Sequence, residues 1–370
     1  MDLIAAILLF LLSLVGLQPK QPTPPPPPPA PLGYNLGLDP SRDGSGIPNG
    51  VTAIRASGAT LFRDGFSWSW LTDSTPEQPV PASLTRPLTE SGNAVVDELD
   101  RKYQALTEAG IQLVIAPVYA PAWASSRPQC GDRAYETANP VICNRKYHPT
   151  AEFLPQYREV MAALARRYPK ATFEGWNEPD NEVRSNVANA TTPEKLADEQ
   201  CALYEAVKSV DGARTVLSPS MSDYYVSGYI GRYLTALAGR RCHDAFSTHP
   251  YTGAGAAAVD AGIDLTLKRV RTALQAHGDK SPIWATEIGY STSDGSHDDA
   301  TQTVDLQRAI DRLRAQPDVR AIIVHALRDE PAPWLVEGRE AGFGLLRTDW
   351  SPKPAFCALV AQAKGSYPGC

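Results

Sequence analysis

From Gly33 onward, short apolar runs alternate with longer stretches in which apolar side chains recur every three or four positions. The short runs read as buried strands, and the stretches with helical period read as amphipathic helices packed on one face. Strands are expected at 34–38, 60–63, 112–117, 172–176, 215–218, 245–248, 283–286 and 321–325. The clearest helices are expected at 95–109, 153–167, 193–210, 265–277 and 304–315, with a final one at 353–364. Strands joined through helices must run parallel, because the crossover returns the chain to the same end of the sheet. Eight such units fit a closed (β/α)8 TIM barrel, a single domain with long βα loops. A doubly wound open sheet is the alternative.

The connections are unequal in length. From helix to strand they are short: Ala109-Gly110, Tyr168-Pro169-Lys170, Asp211-Gly212. From strand to helix they are long: 64–92, 118–150 and 328–351. All the long loops therefore leave one end of the barrel, the face where barrels of this kind hold their active site.

Two glutamates end strands on that face. One lies in Trp176-Asn177-Glu178-Pro179, the other in Trp284-Ala285-Thr286-Glu287-Ile288-Gly289-Tyr290. Carboxyls held apart on neighbouring strand ends suit cleavage of a glycosidic bond, provided their surroundings keep one protonated and the other ionised. Both motifs resemble those of the clan A glycoside hydrolases, retaining enzymes on a (β/α)8 barrel, and the resemblance covers nearly the whole chain after its proline-rich segment. Gly342-Phe343-Gly344-Leu345-Leu346 and Ser351-Pro352-Lys353-Pro354-Ala355-Phe356 resemble families 5 and 39 of that clan in particular. The resemblance implies that Glu178 is the acid/base and Glu287 the nucleophile. It also implies that Asn177 bonds the sugar 2-hydroxyl and that Arg63, ending the second strand, stands beside the nucleophile. Ser247-Thr248-His249-Pro250-Tyr251 matches the clan at the end of strand six, where His249 would bond substrate or orient Glu178 and Tyr251 would line the site near Glu287.

Sugar faces stack on aromatic rings, so Trp68, Trp70, Tyr119, Trp123 and Trp334 in the long loops are candidate platforms, Trp123 and Trp334 foremost. Asp64, Asp180, Arg328 and Asp329 are further candidates for binding hydroxyls. Against these stand plainer roles: core packing for the aromatics, a surface ion pair for Arg63, a capped helix start for the Asn177 motif. The chain departs from the clan at strand eight, where Ile323-Val324-His325-Ala326-Leu327 carries no stacking aromatic and leaves the place to His325 or Trp334.

Charge and cysteines narrow the setting. A net charge of −6 argues against a nucleic-acid partner. The chain has no glycine-rich phosphate loop after a strand and no Cys/His set with zinc spacing, so no metal or organic cofactor is demanded. Residues 3–17 are almost entirely apolar, short of the roughly 20 residues of a membrane span but suited to a secretion signal. Residues 1–18 are expected to be a signal peptide or signal anchor, and thus a possible membrane tether. Residues 19–32, with prolines at 24–29, form a proline-rich linker in polyproline II conformation, and 33–370 the catalytic domain. The expected location is extracytoplasmic, secreted or anchored at the cell surface. Six cysteines in an exported chain imply disulfides. The pairings expected are Cys130–Cys143 closing a loop, Cys201–Cys242 tying two helices and Cys357–Cys370 pinning the C-terminus. The expected function is retaining hydrolysis of a polysaccharide or oligosaccharide. The alternatives are a non-catalytic extracellular carbohydrate-binding protein and a transglycosylase on the same scaffold. Xylosidic, glucosidic, mannosidic and mixed exopolysaccharide linkages are all compatible with these motifs.

Overall fold

This computed structural model describes residues 28–36, 38, 46–139, 143, 147–184, 191–224, 226–293, 295–329 and 338–370. The expected signal segment, residues 19–27 of the expected linker, and Trp334 lie outside the described residues. Strands β1 (Leu32–Asn35), β2 (Leu61–Ser67), β3 (Gln112–Val118), β4 (Thr172–Phe173), β5 (Phe246–Thr248), β6 (Ile283–Ile288) and β7 (Val319–His325) form one parallel sheet in the order β4-β3-β2-β1-β7-β6-β5. The fifth expected strand, 215–218, is present as isolated parallel bridges, Val216 to Phe173 and Leu217 to Ala245. The Leu217 N–H donates to the Phe173 carbonyl at 2.7 Å, and the Ser218 N–H donates to the Ala245 carbonyl at 3.0 Å. This segment joins β4 to β5, and the curled sheet closes as a (β/α)8 barrel.

Helices α1 (Gly46–Ala56), α2 (Ala94–Glu108), α3 (Leu154–Arg167), α4 (Pro193–Val210), α5 (Tyr229–Leu237), α6 (Ala256–Ala276), α7 (Asp299–Arg314) and α8 (Pro354–Gln362) cover the outside. Their starts follow local chemistry. Asn93 caps α2 by accepting from the Val95 and Val96 N–H groups, and Asp298 and Thr301 close a reciprocal capping box on α7. Outward strand side chains such as Phe62, Ile115, Phe173, Val216, Phe246 and Ile322 pack under the helices in the main core. Inside the ring, Val114, Leu217, Ala245 and Ile323 form a separate small apolar cluster against Trp284. Above it, toward the C-terminal ends of the strands, the interior is polar: Arg63, Glu174, Ser247 and Thr286 are all buried. A floor of apolar side chains thus carries a layer of buried polar ones that need partners.

The three expected disulfides are present, Cys130–Cys143, Cys201–Cys242 and Cys357–Cys370. The second ties α4 to the segment between α5 and β5, where a helix-to-helix link was expected, because α5 ends at Leu237. Among the described residues no helix is long and apolar enough to cross a membrane.

Candidate active site

The barrel delivers each glutamate by a local departure from regular structure. Side chains alternate across a strand, so after inward Trp284 and Thr286 the next residue of β6 belongs outside. The pairing of β6 with β7 shifts register between Ala285 and Ile288. As a result Thr286 and Glu287 both face the interior while Ile288 packs in the main core. Such bulges re-aim side chains next to active sites. On the other side, Glu178 takes a left-handed backbone, φ 50°, a conformation that costs a non-glycine residue energy and collects at functional sites. Its N–H donates to Ser220 Oγ at 3.1 Å. The stave before it passes close to its neighbours at Gly175, where a Cβ would lie 2.1 Å from Gln200 Oε1 and 2.6 Å from the Pro219 nitrogen.

Arg63 organises what lies between. Its Nη1 donates to Glu287 Oε1 at 2.6 Å and its Nη2 to Asn177 Oδ1 at 2.7 Å. Its Nε donates to Glu174, which also accepts from Ser247. Tyr251 donates its hydroxyl to Glu287 Oε2 at 2.9 Å. His249 Nδ1 lies 2.8 Å from Glu178 Oε1 and 3.6 Å from Glu287 Oε2. One oxygen of Glu178, one of Glu287 and a nitrogen of His249 all lie within 4.8 Å of one another. Those three atoms have the spacing of metal ligands; here the Arg63 guanidinium already supplies a positive charge to Glu287.

The charges set distinct states. Burial alone would push the Glu287 carboxyl up, but His249, Arg63 and His325 together with the Tyr251 hydroxyl outweigh it and hold Glu287 well below the usual carboxylate range. Burial opposes charge on His249 as well, yet Glu287 and Glu178 raise its affinity for a proton. For Glu178, burial and the charge of Glu287 favour the protonated form, while His249 and Asn181 favour the ionised one and prevail. Glu178 and His249 are thus coupled through one short hydrogen bond.

Of the expected site residues, Arg63, Asn177, Glu178, His249, Tyr251 and Glu287 meet in this cluster. Trp123 sits apart. Its Nε1 donates to the Ser74 carbonyl at 3.1 Å, and its ring packs edge-to-face between Trp68 and Phe153. Trp68 is fully buried and Trp70 exposed, while Tyr119 packs edge-on against Trp176. Asp64 pairs with Lys102, Asp329 with Lys353, and Arg328 stacks on Trp350. Asp180 accepts from the Ser222 and Asp223 N–H groups, and burial pushes its carboxyl up to about 6. Glu174, Ser247 and Thr286 were not singled out in the sequence. The signal was a glutamate inside the apolar run Thr172–Trp176, since a buried carboxylate requires a cation and hydrogen-bond donors.

The model of a glycosyl hydrolase catalytic core matches residues 147–332, half of the chain and the part that carries both glutamates. The chain belongs to this glycosyl hydrolase family. No curated protein matches its sequence. Its fold is that of solved glycosidases. It resembles a family 39 glycoside hydrolase from the gut symbiont Bacteroides cellulosilyticus at 20% identity and TM-score 0.60, covering 90% of this chain and 63% of that one. It resembles a family 5, subfamily 18 protein from Bifidobacterium longum subsp. longum, solved with Manβ1-4GlcNAc, at 16% identity and TM-score 0.65, covering 92% and 80%. It also resembles a monomeric β-xylosidase from Caulobacter crescentus at 19% identity and TM-score 0.63, covering 90% and 67%. This glycosyl hydrolase thus spans less than two thirds of the length of the Bacteroides enzyme.

Proposed function

We propose that the protein is a retaining glycoside hydrolase acting on a polysaccharide or oligosaccharide, with Glu178 as acid/base and Glu287 as nucleophile. The observation that carries this reading is that one oxygen of Glu178 and one of Glu287 lie within 4.8 Å of each other. Retention needs carboxyls about 5–5.5 Å apart, whereas inversion needs roughly 6.5–9.5 Å to admit a water. Glu287, kept ionised by Arg63, His249 and Tyr251, attacks the anomeric carbon as Glu178 protonates the departing oxygen. The proton reaches Glu178 Oε1 along its 2.8 Å hydrogen bond from His249. Once Glu287 is esterified, its negative charge is gone. That charge was one of the factors favouring protonated Glu178, so Glu178 now serves as base toward the water that releases the sugar. A cavity of about 330 Å³ opens on the Glu178 side, lined by Ser222, Tyr224, Thr252, Tyr290 and Ser296. It offers hydroxyls to a sugar leaving group, which supports an oligomeric or polymeric substrate.

We further propose export, with residues 1–18 as signal or anchor and 19–32 as spacer ahead of the catalytic domain; the three disulfides support an oxidising compartment.

Glu287→Gly is expected to abolish turnover and to regain activity with azide, giving a glycosyl azide of inverted anomeric form by NMR; normal activity in this variant would refute the nucleophile assignment. Glu178→Ala is expected to lower kcat by about 10²–10⁴-fold on substrates with poor leaving groups, with much less loss on activated aryl glycosides.

A further inference from the structure

Arg63 binds two carboxylates, and the reaction uses up the charge of one of them. Its Nη1 donates to Glu287 Oε1 at 2.6 Å, its Nη2 to Asn177 Oδ1 at 2.7 Å and its Nε to Glu174 Oε2. The Glu174 side chain is fully buried, and that of Arg63 is 7% exposed. Ser247 donates its hydroxyl to Glu174 Oε1. Both oxygens of Glu174 thus accept hydrogen bonds, the pattern of an ionised carboxylate. The hydroxyl of Thr286, the residue before Glu287, lies 2.5 Å from that of Ser247. A chain of contacts therefore runs from Glu287 through Arg63, Glu174 and Ser247 back to the strand that carries Glu287. Burial opposes the charge of Arg63, but Glu174, Glu287 and, last among them, Glu178 keep it protonated.

The balance around this guanidinium changes during the reaction. Before it, Arg63 is bonded to two carboxylates. In the first step a Glu287 oxygen bonds the anomeric carbon as the bond from that carbon to the leaving oxygen breaks, and the leaving oxygen takes the proton of Glu178. The negative charge passes from Glu287 to Glu178, whose oxygens are held by His249 at 2.8 Å and Asn181 at 3.2 Å. Glu287 is then a neutral ester. Among the described residues, Glu174 is the carboxylate still bonded to Arg63 at that stage. A buried charge stripped of its partner is costly.

We propose that Glu174 is a positioning residue acting through Arg63: it fixes the guanidinium beside Glu287 and supplies its counter-charge while Glu287 is bonded to the sugar. The inference rests on Glu287 being the nucleophile. It ties Glu174 to one half of the reaction. Forming the glycosyl-enzyme takes a negative charge away from Arg63 and depends on Glu174. Releasing the sugar to water returns that charge and does not. A plain packing role would touch both steps alike.

The two steps are timed separately with 2-deoxy-2-fluoroglycosyl fluorides, which trap the nucleophile and release fluoride, so that trapping needs no proton from Glu178. The full chain is incubated with the gluco-, manno- and xylo-configured probes, and the best-trapped one is used. Inactivation reads bond formation, reactivation after removal of the probe reads release, and peptide mass mapping locates the label. In the wild type the label is expected on Glu287. Glu174→Gln still leaves Arg63 paired with Glu287 before reaction; its inactivation is expected to be slower by at least about tenfold, with reactivation no slower than in the wild type. Glu174→Asp keeps the charge across a longer gap and is expected to show the same split at smaller size; it carries the test if melting curves show that the Gln variant does not fold. Unchanged inactivation in the variant that carries the test, or equal slowing of both steps in it, overturns this inference and leaves the role of Glu287 standing. Label on another residue, or no labelling of the wild type by any probe, overturns both.

Discussion

Glu287 shows how single contacts set the chemistry of the site. Its carboxyl is depressed despite burial, so the ionised form is present above its folded value and lost as pH falls through it. Tyr251→Phe removes one of the groups that hold it down. The acid limb of the kcat/KM profile is then expected to move up by about one pH unit, with the alkaline limb unmoved; a pH–rate series checks this. Six expected residues converge here because their positions at strand ends were legible in the sequence. The network behind them was less so. Glu174 reads as part of a strand until Arg63 is seen to need a second carboxylate, and the inward turn of Glu287 depends on a change of register that no residue type announces. Trp123 stood in a loop of the right kind, yet its neighbours Trp68 and Phe153 claim its ring.

Elements are held to the site through buried charge. His148 stacks on Trp176 at 3.5 Å and bridges Glu182, in the turn of helix after Glu178, to Glu199 of α4. Burial works against its charge, but Glu199 and Glu182 prevail and push the imidazole up to about 9. A group raised in the folded state stabilises fully below its ordinary value near 6.5 and loses that contribution as pH climbs through about 9. The melting temperature is therefore expected to fall between pH 6.5 and 9. In His148→Gln, which leaves buried carboxylates unpaired, stability should drop by about 3–5 kcal/mol at pH 6 and the slope above pH 6.5 should flatten; chemical denaturation at several pH values measures both. Helix placement was legible where amphipathic period and caps agreed, as in α2, α3 and α4. It was not in α1, whose sequence from Gly46 includes Pro48, Asn49 and Gly50 and reads as loop, nor at the start of α6. There Ala256-Ala257-Ala258 carries helix propensity but no amphipathic period.

At the scale of the whole molecule, the barrel separates stability from chemistry. The Cys201–Cys242 link closes 41 residues of chain at the end of the barrel away from the mouth. Replacing both cysteines by serine is expected to cost about 3–4 kcal/mol in urea denaturation while leaving kcat unchanged at temperatures where the variant is folded. The lopsided loops identified the working face from connection lengths alone, because one end of a barrel can grow loops without disturbing the sheet. The alternation of apolar runs identified eight staves, although one is too briefly paired to register as a strand.

That brief pairing bears on where the two glutamates stand. Strands β2 and β3 run together over seven residues each, whereas β4 has two and its neighbour at 215–218 is stitched on by single bridges. The ring therefore has a stretch of irregular pairing, and Glu178 sits at its rim. Backbone hydrogen bonds still cross it, from Gly175 to Leu217, from Ser218 to Ala245 and from Ser220 to Trp176. Both glutamates thus leave the wall where its pairing is irregular: Glu178 past a stave held by isolated bridges, Glu287 at a shift of register between Ala285 and Ile288.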